Sequence, residues 1–248
     1  AMAIPLTIPV VGKDLKNAIL NHLSDPVFRE LAPSLEATDL RRGQILYQPE
    51  GRVRRVHFIQ SGLVVFTKMM RDGRSTMIGS AGVEGMSAPD VLSGMVPADI
   101  ECSVYIEGKS FSVSVDVLER LCSRNPALAM ILKRYSQLMS EQVAQLSGCN
   151  RLHALEQRCA RLLLTIHNNA GAQQFPLTQE SLATTLGAQR PHVSAVAAHL
   201  QNLDLIQYRH GHIRITNPAG LKMVSCECYE FMQERIKAAF ARANGKEF

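Results

Sequence analysis

The apolar residues in the last third of the chain form two short helical patterns with one glycine between them. Residues 179–203 read QESLATTLGAQRPHVSAVAAHLQNL, and apolar positions recur every three or four residues on both sides of Gly187. Thr178 can cap the first helix, and Pro191 falls in the first turn of the second, where a missing backbone N–H costs nothing. Because Gly187 tolerates a positive φ, it permits a tight turn between them. The spacing predicts a helix-turn-helix.

The second of these helices has an apolar side and a polar side. Its apolar side, predicted to pack on the first helix, consists of Val193, Val196, Ala197 and Leu200. In helix-turn-helix proteins the N-terminal end of the second helix enters the major groove of double-stranded DNA. We therefore expect DNA contacts from that end and from the cap of the first helix, at Gln189, Arg190, Pro191, His192, Ser194 and Thr178. The alternative is an ordinary helical hairpin that binds nothing.

A hairpin pattern follows the two helices. Residues 206–216 read IQYRHGHIRIT, which alternates apolar and polar positions on both sides of a turn at His210 and Gly211. This pattern predicts the wing of a winged helix-turn-helix, with Arg209 and Arg214 placed to contact phosphate oxygens. The alternative is that these basic residues are only exposed to solvent at a sheet edge and contact no partner.

The first half of the chain has a different hydrophobic pattern. Between residues 40 and 115, short apolar runs alternate with glycines at intervals of about eight to twelve residues, which is typical of a closed or rolled antiparallel sheet. A roll of this size encloses a pocket. The pattern leaves open whether a ligand or the chain's own side chains fill that pocket.

A long helical pattern connects the two halves. Its apolar positions recur at spacings of four and three, as in a coiled coil, at Leu128, Leu132, Tyr135, Met139, Val143 and Leu146. We call the long helix predicted from Pro126 onward α4, and these six residues the α4 seam. They predict a two-fold dimer contact, and the alternative is that they pack on the chain's own roll. The pattern is interrupted at residues 148–150, where we expect a hinge. The predicted domains are a sensor roll at 14–124, a dimerisation helix and hinge at 125–149, and a winged helix domain with a C-terminal helix at 150–248.

Charge is consistent with a nucleic-acid partner for the C-terminal half. The chain has 248 residues and a formal net charge of +5. Residues 151–248 hold 11 Lys and Arg against 7 Asp and Glu, so most of the excess positive charge lies there. No stretch approaches the roughly 20 apolar residues of a membrane helix, and no secretory pattern is present. We expect a cytoplasmic protein without a membrane partner.

Six cysteines are expected to be reduced and mostly buried. The alternative is a zinc site formed by Cys226 and Cys228 with His210 and His212, although neither spacing is that of the familiar zinc fingers. We expect no metal and no cofactor. No arrangement of Ser, His and Asp or of Cys and His predicts catalysis, so we expect no enzyme activity.

The order of a β-roll, a long helix and a winged helix-turn-helix resembles the Crp/Fnr family of bacterial regulators, which includes the cyclic-AMP receptor protein. The resemblance runs from about residue 14 to residue 216 and is most specific at residues 43–62 and 177–206. It implies an α+β fold with a cyclic-nucleotide-binding-like roll. It also implies a homodimeric transcription regulator on a pseudo-palindromic DNA site, and it makes RNA polymerase a candidate partner.

Two departures from the family change what the resemblance implies for DNA. Arg190 matches a family arginine that contacts guanine. Its guanidinium can donate two hydrogen bonds, one to O6 and one to N7 of the base. Pro191 stands where the family often has a glutamate, and Ala195 replaces a further arginine. We therefore expect a different base preference, with Gln189, His192 and Ser194 as candidate substitutes.

The sensor half departs further. Family members that bind cyclic nucleotides hold the phosphate with an Arg-Ser pair, but residues 82–104 contain no Arg or Lys and do contain Asp90, Asp99 and Glu101. We expect cyclic AMP and cyclic GMP to bind weakly or not at all, and the ligand stays unidentified. No cysteine precedes Cys102, unlike the family's iron–sulfur sensors. Haem ligation by His22 or His57 stays open, as does a small-molecule-binding or enzymatic role in which the C-terminal domain makes other contacts.

Overall fold

A computed structural model describes residues 15–94 and 99–241 of the chain. It opens with two short helices, α1 (Ala18–Asn21) and α2 (Asp25–Leu31). Asn17 caps α1 by accepting a hydrogen bond from the Leu20 amide at 3.2 Å. Its side-chain amide also donates to the carbonyl oxygens of Ile59 and Gly85, at 3.0 and 2.7 Å. This buried asparagine therefore attaches the N-terminal helices to the sheet that follows.

The N-terminal sheet is antiparallel and has five strands. These are β1 (Glu36–Leu40), β2 (Ile45–Tyr47), β3 (Arg55–Met69), β4 (Ser75–Ala81) and β5 (Ile100–Ser114). The strand order is β1-β5-β3-β4, and β2 also pairs with β5. The two 15-residue strands β3 and β5 carry the sheet, and their register shifts between Ile59 and Val64. The predicted rolled sheet is confirmed.

Gly62 lies at this change of register and explains why a glycine is needed there. Its φ is +87°, and a Cβ at this position would lie 2.5 Å from the Ile106 carbonyl oxygen. Both the backbone conformation and the close approach of β5 exclude a side chain. The irregularity bends the two long strands into a roll instead of a flat sheet.

Two helices follow the roll, α3 (Val115–Arg124) and α4 (Pro126–Leu152). Asn125 caps α4 by accepting from the Leu128 amide at 3.3 Å. The helix runs without interruption through the expected hinge at residues 148–150 and ends at Leu152. His153 and Ala154 are extended, so the break before the next helix lies there. One helical glycine at position 148 does not stop a helix whose other face is packed.

The α4 seam does not face a second subunit in this arrangement. Five of its six members are between 0 and 7% exposed within the single chain. Four of these five, all except Leu146, pack in one cluster with the core of the roll and with Phe240 near the C-terminus. Only Val143 is exposed, at 38%. The prediction of a subunit contact through Leu128, Leu132, Tyr135, Met139 and Leu146 is corrected accordingly. An apolar stripe fixes which face is covered, but not by what.

The C-terminal domain follows the order predicted from the sequence, with one additional strand. Its elements are α5 (Leu155–Ala170), β6 (Gln174–Pro176), α6 (Gln179–Leu186), α7 (Arg190–Asn202), β7 (Ile206–Arg209) and β8 (His212–Ile215). The sheet order is β6-β8-β7, so the wing has a third strand on its outer side. The predicted winged helix-turn-helix is confirmed as a fold.

The segment after the wing contains two helices instead of one. They are α8 (Pro218–Val224) and α9 (Cys228–Phe240), separated by residues 225–227. Helix α9 packs along α4, where Arg235 forms a two-pronged ion pair with Glu141 at 2.6 and 2.7 Å. At its end the Phe240 ring lies 5.2 Å from the His22 ring. The C-terminal extension therefore returns from the winged domain to the long helix.

The roll and the winged domain share a core. Leu63, Val65, Met77 and Ile106 of the roll pack in the same buried cluster as the apolar faces of α5 and α6. Asn169 of α5 accepts a hydrogen bond from the Val83 amide at 2.9 Å. The winged domain is thus held against the roll by apolar contacts and by hydrogen bonding, in addition to the chain connection at His153 and Ala154.

Candidate functional site

The turn between α6 and α7 has the local geometry that the sequence predicts. Thr178 caps α6 by accepting a hydrogen bond from the Ser181 amide at 3.1 Å. Gly187 ends α6 with φ +60°, and the Ala188 amide donates to the Ala183 carbonyl at 3.0 Å. This bond satisfies one of the carbonyls that a helix end leaves free. The short connection orients α7 relative to α6.

Helix α7 presents its first turn to solvent while its underside is buried. Val193, Ala197 and Leu200 are between 0 and 3% exposed. The predicted contact residues Gln189, Arg190, Pro191 and His192 are all exposed. Within the described part of the chain, no side chain caps the first amides of α7. Pro191 has no N–H, and the His192 and Val193 amides donate to the Gln189 carbonyl at 3.1 and 3.2 Å. This end of α7 therefore offers an anion such as a phosphate mainly the positive end of the helix dipole.

Ser194 differs from the other predicted contact residues because its hydroxyl already has partners. It donates to the side-chain oxygen of Gln179 at 2.6 Å and lies 3.0 Å from the Arg190 carbonyl. The residue is half-buried. Ser194 thus positions Gln179 at the start of α6, and Gln179 is a polar surface residue that the sequence argument missed. The signal was its place directly after the cap, where helix N-termini approach phosphates.

A groove lies between the start of α6, the start of α7 and the wing. It has a volume of about 540 Å³ and is lined by Thr178, Gln179, Glu180, Arg190, Tyr208, His210 and Gly211. At the tip of the wing, His210 and Gly211 have φ values of +49° and +75°, which is the geometry of a two-residue hairpin turn. Burial raises the pKa of the Tyr208 hydroxyl, although the Gln179 backbone and Arg190 act in the opposite direction. Tyr208 therefore stays a neutral hydroxyl on this surface.

The wing arginines lie on the other face of the hairpin from this groove. Side chains alternate along a strand, so Arg209 points away from the side of Tyr208 and His210. Arg209 pairs across the hairpin with His212, and Arg214 pairs with Gln207. Both arginines are exposed. The structure therefore brings His210 to the groove, together with Arg190, and leaves Arg209 and Arg214 on the outer face of the wing.

A second concave site lies in the roll, and we call it the roll cavity. It has a volume of about 600 Å³ and is bounded by the sheet, the segment 88–94, α3 and α4. Among its apolar lining residues are Val53, Phe66, Ile78, Val91, Ile100 and Met139. Its charged lining residues, among those described, are Arg52, Asp90, Asp116 and Glu119. Arg52 lies 3.4 Å from Asp116, so the only lining cation in this set already has an acidic neighbour.

The histidines considered for haem lie outside the roll cavity. His57 is buried, and its Nδ1 is 3.1 Å from the Ser110 hydroxyl. His22 is exposed on α1's C-terminal side, with Nδ1 2.7 Å from the Ala18 carbonyl oxygen. Neither belongs to the lining of the cavity.

The sulfur groups near the C-terminus have different neighbours from those predicted. Cys226 and Cys228 lie with Cys149 and His153, at the end of α4. His210 is in the groove instead, at the tip of the wing. The alternative of a zinc site that joins Cys226 and Cys228 to His210 and His212 is therefore wrong, because those two histidines are not near the cysteines.

An exposed first turn of the second helix, a buried underside and an adjacent wing define a winged helix-turn-helix protein. Residues 157–224 match the Crp-like helix-turn-helix domain. The chain is 24% identical over 212 residues to the HTH-type transcriptional regulator Cmr of Mycobacterium tuberculosis, covering 80% of this chain and 82% of Cmr. Residues 157–224 therefore form a Crp-like helix-turn-helix domain, and the chain as a whole is similar to a transcriptional regulator that carries such a domain.

Solved structures share the whole architecture. FixK2 from Bradyrhizobium japonicum superposes with a TM-score of 0.64 at 16% identity, over 77% of this chain and 98% of FixK2. TTHB099, a CRP-family transcriptional regulator from Thermus thermophilus, gives 0.56 at 18% identity, over 76% and 96% of the two chains. These similarities confirm the fold. None of the helices in the described ranges has the length and apolar character needed to span a lipid bilayer.

Proposed function

We propose that this regulator binds a pseudo-palindromic DNA site as a homodimer, with one α7 in the major groove of each half-site. The observation that carries the proposal is the exposed first turn of α7 above a fully buried underside. A rigid helix with a free N-terminal end is what major-groove readout requires. Dimers of such domains place their two recognition helices about 34 Å apart, one turn of B-DNA.

Arg190 is the base-reading residue in this proposal. It is the first residue of α7 and is exposed. Its guanidinium can donate two parallel hydrogen bonds to O6 and N7 of guanine. Pro191, the next residue, offers neither a backbone donor nor a side-chain acceptor, so cytosine is not read there. His192 and Gln189 are the neighbouring polar groups at the same end.

The dimer contact that we propose uses the free face of α4, since the α4 seam is covered within the chain. Met130, Gln137 and Ala144 follow each other at seven-residue intervals on this face and are exposed, Met130 at 52%. Residues seven apart lie on one stripe of a helix, so this exposed face, with the large apolar side chain of Met130, can lie against a second copy of the helix. In analytical ultracentrifugation we expect twice the chain mass of 27.4 kDa. Met130→Glu should shift the protein towards monomer, whereas Met223→Glu, at an exposed methionine of α8, should not.

The roll cavity completes the proposal as the effector site, for a ligand without a phosphate. Its lining is mainly apolar, and the charged side chains that line it within residues 15–94 and 99–241 are one arginine and three carboxylates. A cyclic phosphodiester requires a guanidinium and free amides. The carboxylates would repel it instead. Titration calorimetry should detect no micromolar binding of cyclic AMP or cyclic GMP, and a tight site in the roll would refute this part of the proposal.

The test of the whole proposal is a selection of genomic DNA fragments by the purified full-length protein. The expected result is an inverted-repeat motif with half-sites separated by about one helical turn. Recovery of fragments without a common motif would contradict sequence-specific binding. The same selection in the presence and absence of apolar metabolites would show whether the roll cavity controls DNA binding.

A further inference from the structure

Four potential metal ligands converge at the end of α4. Cys149 and His153 lie one helical turn apart there, and the His153 amide donates to the Cys149 carbonyl at 3.1 Å. Cys226 lies in the link between α8 and α9, and Cys228 is the first residue of α9. The three sulfur atoms and a ring nitrogen of His153 all lie within 4.8 Å of one another. The three cysteines are 1 to 2% exposed and form a small buried cluster of their own.

We propose that Cys149, His153, Cys226 and Cys228 bind one zinc ion. Three cysteines and one histidine are an established ligand set for structural zinc, with Zn–S near 2.3 Å in a tetrahedron. In a tetrahedron with that bond length, neighbouring sulfur atoms are about 3.8 Å apart. Here Cys149 Sγ and Cys226 Sγ are 3.6 Å apart, and Cys228 Sγ is 3.5 Å from His153 Nδ1. The ligand atoms therefore already have the spacing that a single ion requires.

The number and spacing of the groups favour a single ion over other sulfur chemistry. A disulfide between Cys149 and Cys226 would account for two of the four groups and would leave Cys228 and His153 without a role. All six cysteines are free in the structure. An iron–sulfur cluster places inorganic sulfide between its irons and the protein, and so holds its cysteines farther apart than one ion does. Thiolate with imidazole in a tetrahedron is a combination that zinc prefers.

The residues around the cluster supply the contacts that zinc ligands need. His153 directs Nδ1 to the sulfur atoms and Nε2 to Glu227, whose carboxylate oxygen is 3.1 Å away. A carboxylate on the far nitrogen fixes the tautomer that leaves Nδ1 free to bind metal. The side-chain amide of Gln145 donates to Cys228 Sγ at 3.0 Å. Such a donor stabilises a thiolate.

Arg161 supplies a buried positive charge beside the cluster. Its side chain is 8% exposed, and its Nε has no hydrogen-bond partner among the described residues. It acts electrostatically on both Cys149 and Cys226. Zinc with three thiolates carries a net charge of −1, and a buried arginine offsets that charge.

The position of the four ligands indicates a structural role at the break between α4 and α5. Four protein ligands leave no open position, which is the mark of a structural zinc site and not of a catalytic one. The ion would join the last turn of α4 to the link before α9, next to the extended residues His153 and Ala154. It would thereby fix the C-terminal extension against the segment that connects the roll to the winged domain.

The first test is the metal content of the full-length protein, purified under reducing conditions without chelator. Mass spectrometry of the metals should find about one zinc per chain. Cys226→Ser should lose it. Cys122→Ser is the matched control, because Cys122 is a buried cysteine of α3 outside the cluster, and it should keep the zinc. Metal-free wild-type protein with six reactive thiols, a Cys149–Cys226 disulfide, or stoichiometric iron would each overturn the proposal.

The second test does not depend on the folding of a variant. X-ray absorption at the zinc edge of the wild-type protein should show three sulfur and one nitrogen neighbours. After replacement of zinc by Co²⁺, thiolate-to-metal charge transfer and tetrahedral cobalt bands should appear, and added zinc should abolish them. A zinc surrounded only by oxygen and nitrogen would show adventitious binding elsewhere and would overturn the proposal.

Discussion

The roll and the winged domain use their polar groups in opposite ways. In the roll and in helix α4 packed on it, titratable side chains such as His57, Glu84 and Tyr135 are withdrawn from water, and burial shifts the pKa of each in the direction that favours its neutral form. On the DNA-facing side of the winged domain, Arg190 and His192 are exposed at the start of α7. The difference shows that buried polar groups in the roll hold the fold together, while exposed ones on α7 are kept for an external partner.

Changes in the roll and changes at the start of α7 should affect different measured quantities. Changes in the roll should alter the free energy of unfolding and leave the DNA affinity of the folded protein alone. Changes at the α7 end should alter DNA affinity and its salt dependence and leave unfolding alone. A roll variant that alters DNA affinity, or an α7 variant that alters the free energy of unfolding, would show that the core shared by the roll and α6 couples the two regions.

The largest expected effect is the pH dependence that His57 gives to stability. Burial, together with the nearby Arg55, lowers the pKa of His57 from 6.5 to about 4. Below pH 6.5 the His57 imidazole binds a proton in the unfolded state but not in the folded state, so stability is lost as pH falls. The loss from this group reaches about 3 kcal/mol at pH 4. Urea unfolding at a series of pH values measures it.

His57→Gln is the control for that prediction. Glutamine does not titrate, so the variant should lose less stability than the wild type between pH 6.5 and pH 4. Parallel pH curves for the two proteins would show that His57 is not the source.

The next effect concerns the exposed start of α7 in the winged domain. Arg190→Ala should weaken binding to the selected site by about 1 to 3 kcal/mol and relax specificity at one base pair of each half-site. Its free energy of unfolding should stay within about 0.5 kcal/mol of the wild type because the side chain is exposed. Gel shifts measure the affinity.

Arg29→Ala, at an exposed arginine in the last turn of α2, is the matched variant for Arg190. It removes the same charge far from α7 and should bind DNA as the wild type does. Equal loss of affinity in both variants would mean that Arg190 contributes only net charge.

A smaller effect tests the roll. The buried Tyr135 hydroxyl donates to the Met86 carbonyl at 3.2 Å. Tyr135→Phe removes this bond and should cost about 1 kcal/mol of stability. Thermal unfolding measures the change. DNA affinity at a temperature where both proteins are folded should not differ, and a difference would break the division between the two regions.

The smallest effect concerns the outer face of the wing. Arg209→Ala should lower the slope of log affinity against log salt by about 1 if Arg209 contacts a phosphate, with a similar loss on every sequence. Binding measured across a range of salt concentrations gives the slope. His210→Ala tests the other face of the wing, and a slope change in that variant alone would place the phosphate contact in the groove.

Much of the winged domain could be predicted because its signals are local. The Thr178 cap, Gly187 with its positive φ and Pro191 in the first turn each act within a few residues, and the structure has all three as expected. The partner of Ser194 could not be predicted in this way. Gln179 lies 15 residues away and reaches Ser194 only because α6 and α7 cross.

Local periodicity and turn chemistry are enough to specify the order of elements, the rolled sheet, the long helix and the exposed end of α7. What covers each apolar face, and which distant side chains meet, depends on how the whole chain packs. The α4 seam is apolar in either arrangement, but packing places it inside the chain. Cys149 and Cys226 are 77 residues apart, and only the return of the C-terminal extension to α4 brings their sulfur atoms together. Periodicity specifies a face, whereas the neighbour of that face is settled by the packing of the whole chain.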